Sequence, residues 1–426
     1  MADDLAAIVM AGGLGTRMKS ATPKHLHPLL GQRMVDWVVA AARDAGVERI
    51  VVVASPDSAE SYDGLEVAVQ TEALGTGDAV RAARAALAGA GSDVLVLNGD
   101  VPALQPETVN ALVETHRAAG AAATVLSFEP PDARAYGRVV RDERGRLVRI
   151  VEAGDASEDE LRLTEVNSGI YCFRGDALWP VLDRLQPHNA QGELYLTDTL
   201  GLLVDDAEVV AVHAAPDPAE VEGINTRAEL AAVAAKLRDR INEAHMLAGV
   251  TIVDPQSTWI DADVEIEPDT TIHPFCVIKG PVRIASGVNV GPFAYIRPGT
   301  VLGEGSKIGT FVEIKASSVG ARTKVPHLSY IGDAEIGEDT NIAAGNITAN
   351  FPHEPGPKGK TRIGSNVRTG VDNTFDAPVD IGDDAWIAAG AVITHDVPPG
   401  SLAGFAPRQE TKEGWVYEKH GKRDGD

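Results

Sequence analysis

Glycine, arginine, lysine and aspartate occur near the start of the chain in an order that could hold phosphate groups. The run is Met10-Ala11-Gly12-Gly13-Leu14-Gly15-Thr16-Arg17-Met18, with Pro23-Lys24 seven residues past the arginine. Glycines let backbone N–H groups approach a phosphate closely, and a following helix N-terminus favours the anion. Arg17 can fork onto phosphate oxygens, and Lys24 can place a point charge on them. A dinucleotide-binding loop would also be glycine-rich, but it needs G-x-G-x-x-G spacing, which glycines at 12, 13 and 15 do not supply. Farther on stand Gln70, Leu74-Gly75-Thr76-Gly77 and Leu97-Asn98-Gly99-Asp100-Val101-Pro102. A strand-end aspartate is often a turn or a cap. Beside a phosphate loop in the same sheet, Asp100 reads as a Mg²⁺ ligand, because Mg²⁺ is held by few carboxylates plus substrate phosphates. Tyr136-Gly137-Arg138, Val151-Glu152, Glu165-Val166-Asn167-Ser168-Gly169 and Glu222-Gly223-Ile224-Asn225-Thr226 follow; each alone could be a turn.

The elements that must position these groups alternate between strand and helix. Leu5 to Met10, Ile50 to Ala54 and Val94 to Leu97 are short apolar runs, with helical stretches at Met34 to Ala45 and Asp78 to Ala88. Thr124 to Phe128, Arg138 to Val140, Val148 to Val151 and Gly169 to Phe173 add strands, so residues 1–226 read as a Rossmann-like α/β domain on a parallel sheet. Residues 227–249 read as a connecting helix.

Beyond it the period changes to six. Ile260, Ile266, Ile272, Ile278, Ile284, Val290, Ile296, Leu302, Ile308 and Ile314 are evenly spaced. The spacing resumes at Val325 and Ile331, at Ile336 and Ile342, and through Ile363, Thr369, Phe375, Ile381, Ile387 and Ile393. This is the hexapeptide repeat of a parallel β-helix, expected over 250–410, with a polar tail at 411–426. Three prolines and two glycines between Asn350 and Lys360 force an excursion from the coil.

Composition excludes several classes. A net charge of −24 argues against a nucleic-acid partner. No apolar run approaches the roughly 20 residues of a membrane span, so no membrane insertion is expected. Met1-Ala2-Asp3-Asp4 lacks a signal peptide's charged n-region, so the expected location is cytoplasmic. Cys172 and Cys276, in different domains, read as buried free thiols.

Together the motifs of the first half, with Asn189-Ala190-Gln191-Gly192-Glu193-Leu194-Tyr195-Leu196-Thr197-Asp198, resemble the sugar-1-phosphate nucleotidyltransferases. More closely, they resemble the bifunctional N-acetylglucosamine-1-phosphate uridyltransferase/glucosamine-1-phosphate acetyltransferase family, and the resemblance covers nearly the whole chain. It implies that Met10, Ala11, Gly13, Gln70, Gly75 and Thr76 hold the uracil nucleotide of UTP. It implies that Arg17 and Lys24 act on the phosphates, that Asp100 and Asn225 bind Mg²⁺, and that Gly137, Glu152 and Asn167 hold the sugar. Asp78 departs from the histidine that often follows Gly-Thr-Gly in the family.

In the second half, Tyr295-Ile296-Arg297-Pro298-Gly299, Phe311-Val312-Glu313-Ile314-Lys315, Pro326-His327-Leu328-Ser329-Tyr330-Ile331-Gly332-Asp333-Ala334 and Asn341-Ile342-Ala343-Ala344-Gly345 look like the acetyltransferase half. The resemblance implies a left-handed β-helix and a homotrimer with this site between subunits. Arg297 and Lys315 would clamp the sugar phosphate, and Tyr330, Asn341 and Asn350 would orient the sugar. His327 would be the general base toward acetyl-CoA; an imidazole suits that role near neutral pH. Ala344 and Ala389 would lie along the acetyl-CoA.

This half departs more from the family pattern. Phe351 replaces a tyrosine, Val371 a serine and Ala406 an arginine, with Arg408 two residues on; Lys358 is the candidate loop lysine. The β-helix reads as about two coils short between Pro274 and Gly291. A single-activity nucleotidyltransferase on a trimerising β-helical scaffold, or one using another acyl donor or acceptor, is the alternative reading. A non-catalytic nucleotide-sugar sensor fits less well, because binding alone does not need the Asp100/Asn225 pair.

Overall fold

The computed structural model describes residues 5–13, 15–89, 92–133, 136–352, 356–404 and 411–420. Two compact units divide between Leu237 and Arg238. The expected donor-site positions Ala406 and Arg408 lie outside the described residues.

The first unit contains β1 (Leu5–Met10), the short pair β2 (Pro28–Leu29) and β3 (Gln32–Arg33), α1 (Met34–Asp44), β4 (Arg49–Ala54), β5 (Glu66–Val69) and α2 (Thr76–Ala82). It continues through β6 (Asp93–Asn98), α3 (Pro106–Ala119), β7 (Ala123–Phe128), β8 (Arg138–Arg141), β9 (Leu147–Val151), β10 (Val166–Arg174), α4 (Gly175–Leu182), α5 (Asp198–Asp205) and β11 (Val210–Ala214). Helix α6 (Arg227–Leu247) carries the boundary between the units. Its Val233 and Leu237 pack with Met18, Leu29 and Met34, and its Ile241 packs on the core of the second unit.

The main sheet runs β11-β7-β10-β6-β1-β4-β5. Strands β6, β1, β4 and β5 are mutually parallel, as strand–helix alternation predicts. The sheet as a whole is mixed, which corrects the all-parallel expectation. β10 runs antiparallel between β6 and β7, and the β8–β9 hairpin attaches to it. β10 is nine residues long, where sequence alone marked only Gly169 to Phe173. Its first residues hold a register shift between Asn167 and Tyr171 that breaks the simple alternation. Helix α2 ends at Ala82, short of the expected Ala88. There Ala83 and Arg84 bond back to Val80 and Arg81, and the wider helical ladder gives way to tight turns.

The second unit is a parallel β-helix with three faces. Ile260 pairs with Ile278, Ile272 with Val290 and Ile284 with Leu302, so one coil takes 18 residues, three hexads. Of the ten evenly spaced residues, nine are at most 1% exposed, and Ile266 is partly buried. Each side chain alone would leave its apolar surface wet; stacking buries it against the coils above and below. The register then slips. Leu302 pairs with Val319 and Ile314 with Ile331, giving 17-residue coils. The coil from Ile336 to Ile363 takes 27 residues, and the excess is the proline-rich excursion. Its described edges sit at Asn350–Pro352 and 356–360. The segment between Pro274 and Gly291 is one continuous coil. The tail includes a short exposed helix, Trp415–His420.

Candidate functional sites

A cleft of about 500 Å³ opens at the carboxyl ends of β1 and β6, where open α/β sheets bind ligands. Met10, Gly13, Arg17, Lys24, Gln70, Gly75, Thr76, Asp100 and Asn225 all line it. Ala11 does not; it is buried beneath the loop, and its carbonyl accepts from the Tyr62 hydroxyl at 3.3 Å. Gly15 has φ +59°, and a Cβ there would sit 2.6 Å from the Lys24 Cβ, so only glycine lets the loop cross the lysine.

The charged groups converge. Lys24 is 8% exposed, and its ammonium donates to Asp100 and, at 3.1 Å, to the side-chain oxygen of Asn225. Arg17 donates to the same Asn225 oxygen at 2.9 Å. An aspartate oxygen and an amide oxygen thus face one cationic nitrogen. Two hard oxygens aimed at a single positive centre fit a hard divalent cation. Among the described residues no cluster of three or more His, Cys, Asp or Glu could cage a metal.

His25 lies under the same loop, 4% exposed, with Nδ1 unpartnered. Sequence reasoning passed over it because nothing in its neighbours marks a buried imidazole. Burial pushes its pKa down to about 4, with Lys24 adding to the fall and Asp100 opposing it. The unfolded chain therefore binds the extra proton at higher pH than the folded one. Stability falls as pH drops from about 6.5 toward 4, by up to roughly 3 kcal/mol. The expected result is a His25 imidazole resonance that titrates near pH 4; a midpoint near 6.5 contradicts the buried neutral ring.

Gly137, Glu152 and Asn167 do not line the cleft. They form a neighbouring cluster, drawn together by the register Val166–Arg138–Val151. The Asn167 N–H donates to the Gly137 carbonyl at 2.9 Å, and the Asn167 amide donates to the Tyr171 hydroxyl at 2.7 Å. Thr197 donates to Glu152 at 3.2 Å. Burial raises the Glu152 pKa above the usual carboxylate range. Asn98 joins cluster to cleft, lining the cleft while donating to the Ser168 carbonyl at 3.0 Å. Asn98 and Thr197 lie in motifs that the sequence singles out without giving either a role, and Tyr171 reads there only as part of a strand. The contacts of Asn98 and Thr197 join segments distant in the chain.

On the β-helix the candidate residues fall into two columns. The first runs along the ends of one face. Arg297 donates to Glu313 at 2.8 Å, and Lys315 lies one coil on. Lys358 packs beside Lys315 and pushes its pKa below the ordinary lysine range. Asn350 donates to Asp333 and, at 3.5 Å, to the Tyr330 hydroxyl. Tyr330 lies across Gly332, where a Cβ would sit 2.4 Å from its hydroxyl. Three cations and a tyrosine on one edge suit an anionic polyol.

The second column lies at the preceding corner. Strand Lys324–His327 ends in an exposed His327, whose carbonyl accepts from Gly345 at 3.4 Å. Asp372 bonds back to Ala344, and Gly390 to Val371. His327, Ala344, Val371 and, next to Gly390, Ala389 therefore occupy equivalent places in successive coils. Beneath the corner, Ser329 donates to the His327 carbonyl at 2.8 Å, Asn346 to Ala343 and Gly370, and Asn373 to Asn346. These buried groups satisfy the corner carbonyls and stiffen it. Asn341 sits on the His327 face, bridged to Lys324 and Arg368. No hydrogen bond or ion pair among the described residues joins this column to Arg297 and Lys315.

Comparison with known proteins places both units. The MobA-like NTP transferase domain matches residues 7–195. The bacterial transferase hexapeptide (six repeats) matches 263–298 and 281–316, and the hexapeptide repeat of succinyl-transferase matches 360–395. The bifunctional protein GlmU of Streptomyces coelicolor is 45% identical over 97% of this chain and 94% of its own. The GlmU proteins of Pelobacter propionicus and Mycobacterium tuberculosis are 44% and 43% identical, covering 97% and 98% of this chain and 98% and 93% of their own.

The chain belongs to the GlmU family. Membership makes it a transferase of two activities, uridylyl transfer to N-acetylglucosamine 1-phosphate and acetylation of glucosamine 1-phosphate. Its hexapeptide coils are those of the left-handed β-helix. Among the described residues no helix is long and apolar enough to cross a membrane. Against the GlmU pattern, Phe351 is 77% exposed and stacks under Lys358, whose nitrogen lies 5.9 Å from the ring centre. This cation–π contact needs only the ring face and so does not depend on a hydroxyl at position 351. Val371, 46% exposed, stays in the His327 column but brings no polar group to it.

Proposed function

We propose that the cleft of the first unit carries the uridylyl transfer through the residues that converge there. Gln70, Gly75 and Thr76, with Met10 and Gly13, would hold UTP, Ala11 would support the loop from beneath, and Gly137, Glu152 and Asn167 would hold the sugar. A phosphate oxygen of N-acetylglucosamine 1-phosphate attacks the α-phosphorus in line, the new P–O bond forms, and pyrophosphate leaves. The nucleophile is already anionic, so no general base is required. Lys24 and Arg17 neutralise the charge that builds on the phosphates, and a fixed charge is worth most in a site that excludes water. Asp100 and Asn225 would hold Mg²⁺, which when bound would polarise the phosphoryl oxygens and template the leaving group. The observation that carries this reading is the convergence of Asp100 and Asn225 oxygens on Lys24 inside a phosphate loop. The test is pyrophosphate release from UTP and N-acetylglucosamine 1-phosphate with and without Mg²⁺. Metal-dependent release supports it; release unaffected by chelation contradicts it.

The acetyl transfer is assigned to the β-helix. Arg297 and Lys315, helped by Lys358, would bind the phosphate of glucosamine 1-phosphate, while Tyr330, Asn341 and Asn350 orient the sugar. The 2-amino nitrogen attacks the thioester carbonyl, its proton passes to His327, the C–S bond breaks and CoA leaves as the thiolate. Ala344 and Ala389, above His327 in the same column, would line the acetyl-CoA path. The separation of the His327 column from the Arg297–Lys315 edge supports a homotrimer in which neighbouring subunits complete each site. So does the apolar ladder below His327: Phe275, Phe293 and Phe311 stack with centroids 4.9 and 5.1 Å apart while 54%, 44% and 57% exposed. A cytoplasmic location accords with these soluble substrates.

A further inference from the structure

We infer that Asp78 is a positioning residue for nucleobase selection, acting through Gln70. The inference rests on the proposed role of Gln70 at the base. The Gln70 side chain has two N–H donors and one oxygen acceptor. Its nitrogen donates to the Gly75 carbonyl at 3.0 Å and to the Asp78 carboxylate at 3.1 Å. Neither partner can donate, so the pair fixes which end of the amide is nitrogen. Both N–H groups are consumed. The remaining Gln70 oxygen points the other way, 3.2 Å from where a Cβ on Gly12 would stand, and both residues line the cleft.

The cleft therefore offers a base an acceptor and no donor at this point. Uracil and thymine carry N3–H, which matches an acceptor. Cytosine carries a lone pair at N3, which faces the Gln70 oxygen with repulsion and leaves both groups unpaired. Asp78 never reaches the base; it removes the option of rotating the amide to suit cytosine. Gly75 alone would fix the amide less firmly, because one accepting carbonyl satisfies only one of its two N–H groups. Asp78 is half-buried in the first turn of α2, so its carboxylate is held where Gln70 needs it.

The test compares kcat/KM for UTP and CTP in the full-length wild type, Asp78→Leu and Asp78→Asn. Leucine removes the acceptor at similar size. Asparagine keeps an oxygen acceptor, which the Gln70 N–H would select. The UTP:CTP ratio should fall by about tenfold or more in Asp78→Leu, through KM rather than kcat, and recover in Asp78→Asn. A cap on α2 alone would change melting temperature without moving the ratio. The inference is overturned if folded Asp78→Leu keeps the wild-type ratio, or loses activity equally toward both nucleotides. Should wild type transfer no uridylyl group at all, the reading of the cleft fails instead, which is a separate result.

Discussion

Replacing Asp100 with alanine is expected to reduce pyrophosphate release by about 10²–10³-fold or more while acetyl transfer continues at the wild-type rate. Asp100 is one of two oxygens aimed at the Lys24 ammonium, and the other belongs to a neutral amide. Without its carboxylate, the pair of oxygens facing Lys24 is reduced to the neutral amide oxygen of Asn225, which also accepts from Arg17. A loss confined to KM would mean that Asp100 only helps to bind nucleotide. The account requires the loss in kcat, because the charge it organises matters most as the P–O bond breaks. Retained acetyl transfer in the same preparation would show that the second unit, which carries Arg297, Lys315 and His327, is intact. An unchanged thermal transition of the first unit would show that Asp100→Ala still folds.

Replacing His327 with alanine should do the reverse. Loss of a general base costs on the order of 10²–10⁴ in rate, read as CoA release, with pyrophosphate release intact. His327 is exposed, so its removal leaves no cavity, and Ser329 still holds the backbone at position 327. If either substitution disabled both reactions in a folded protein, two independent sites would be the wrong description.

The repeat was readable because each coil must place an aliphatic side chain inward at fixed intervals, and Ile260 through Ile314 keep step without a break. The alignment of His327 with Ala344, Val371 and Ala389 was not readable. The coils between them take 17, 27 and 18 residues, and counting in sixes loses the register. In the first unit, the loop of Gly12, Gly13 and Gly15 with Arg17 and Lys24 was legible as a phosphate grip, since those types at that spacing serve few other ends. His25 and Tyr171 were not, because their environment is made by neighbours distant in sequence, and Thr197, though inside a quoted motif, showed no sign of its bond to Glu152. The antiparallel β10 was missed for a related reason: strand propensity reports an extended segment but carries no direction. Asp78 was legible as a departure, yet its contact with Gln70 required coordinates.

The central claim is that one chain carries both chemistries, and the β-helical half is the sharper test because Phe351 and Val371 depart from the GlmU pattern there. Purified protein would be mixed with glucosamine 1-phosphate and acetyl-CoA, without UTP, and free CoA thiol followed over time. The account predicts thiol release that requires the sugar phosphate. No release, from a preparation that still forms pyrophosphate from UTP and N-acetylglucosamine 1-phosphate, would contradict it.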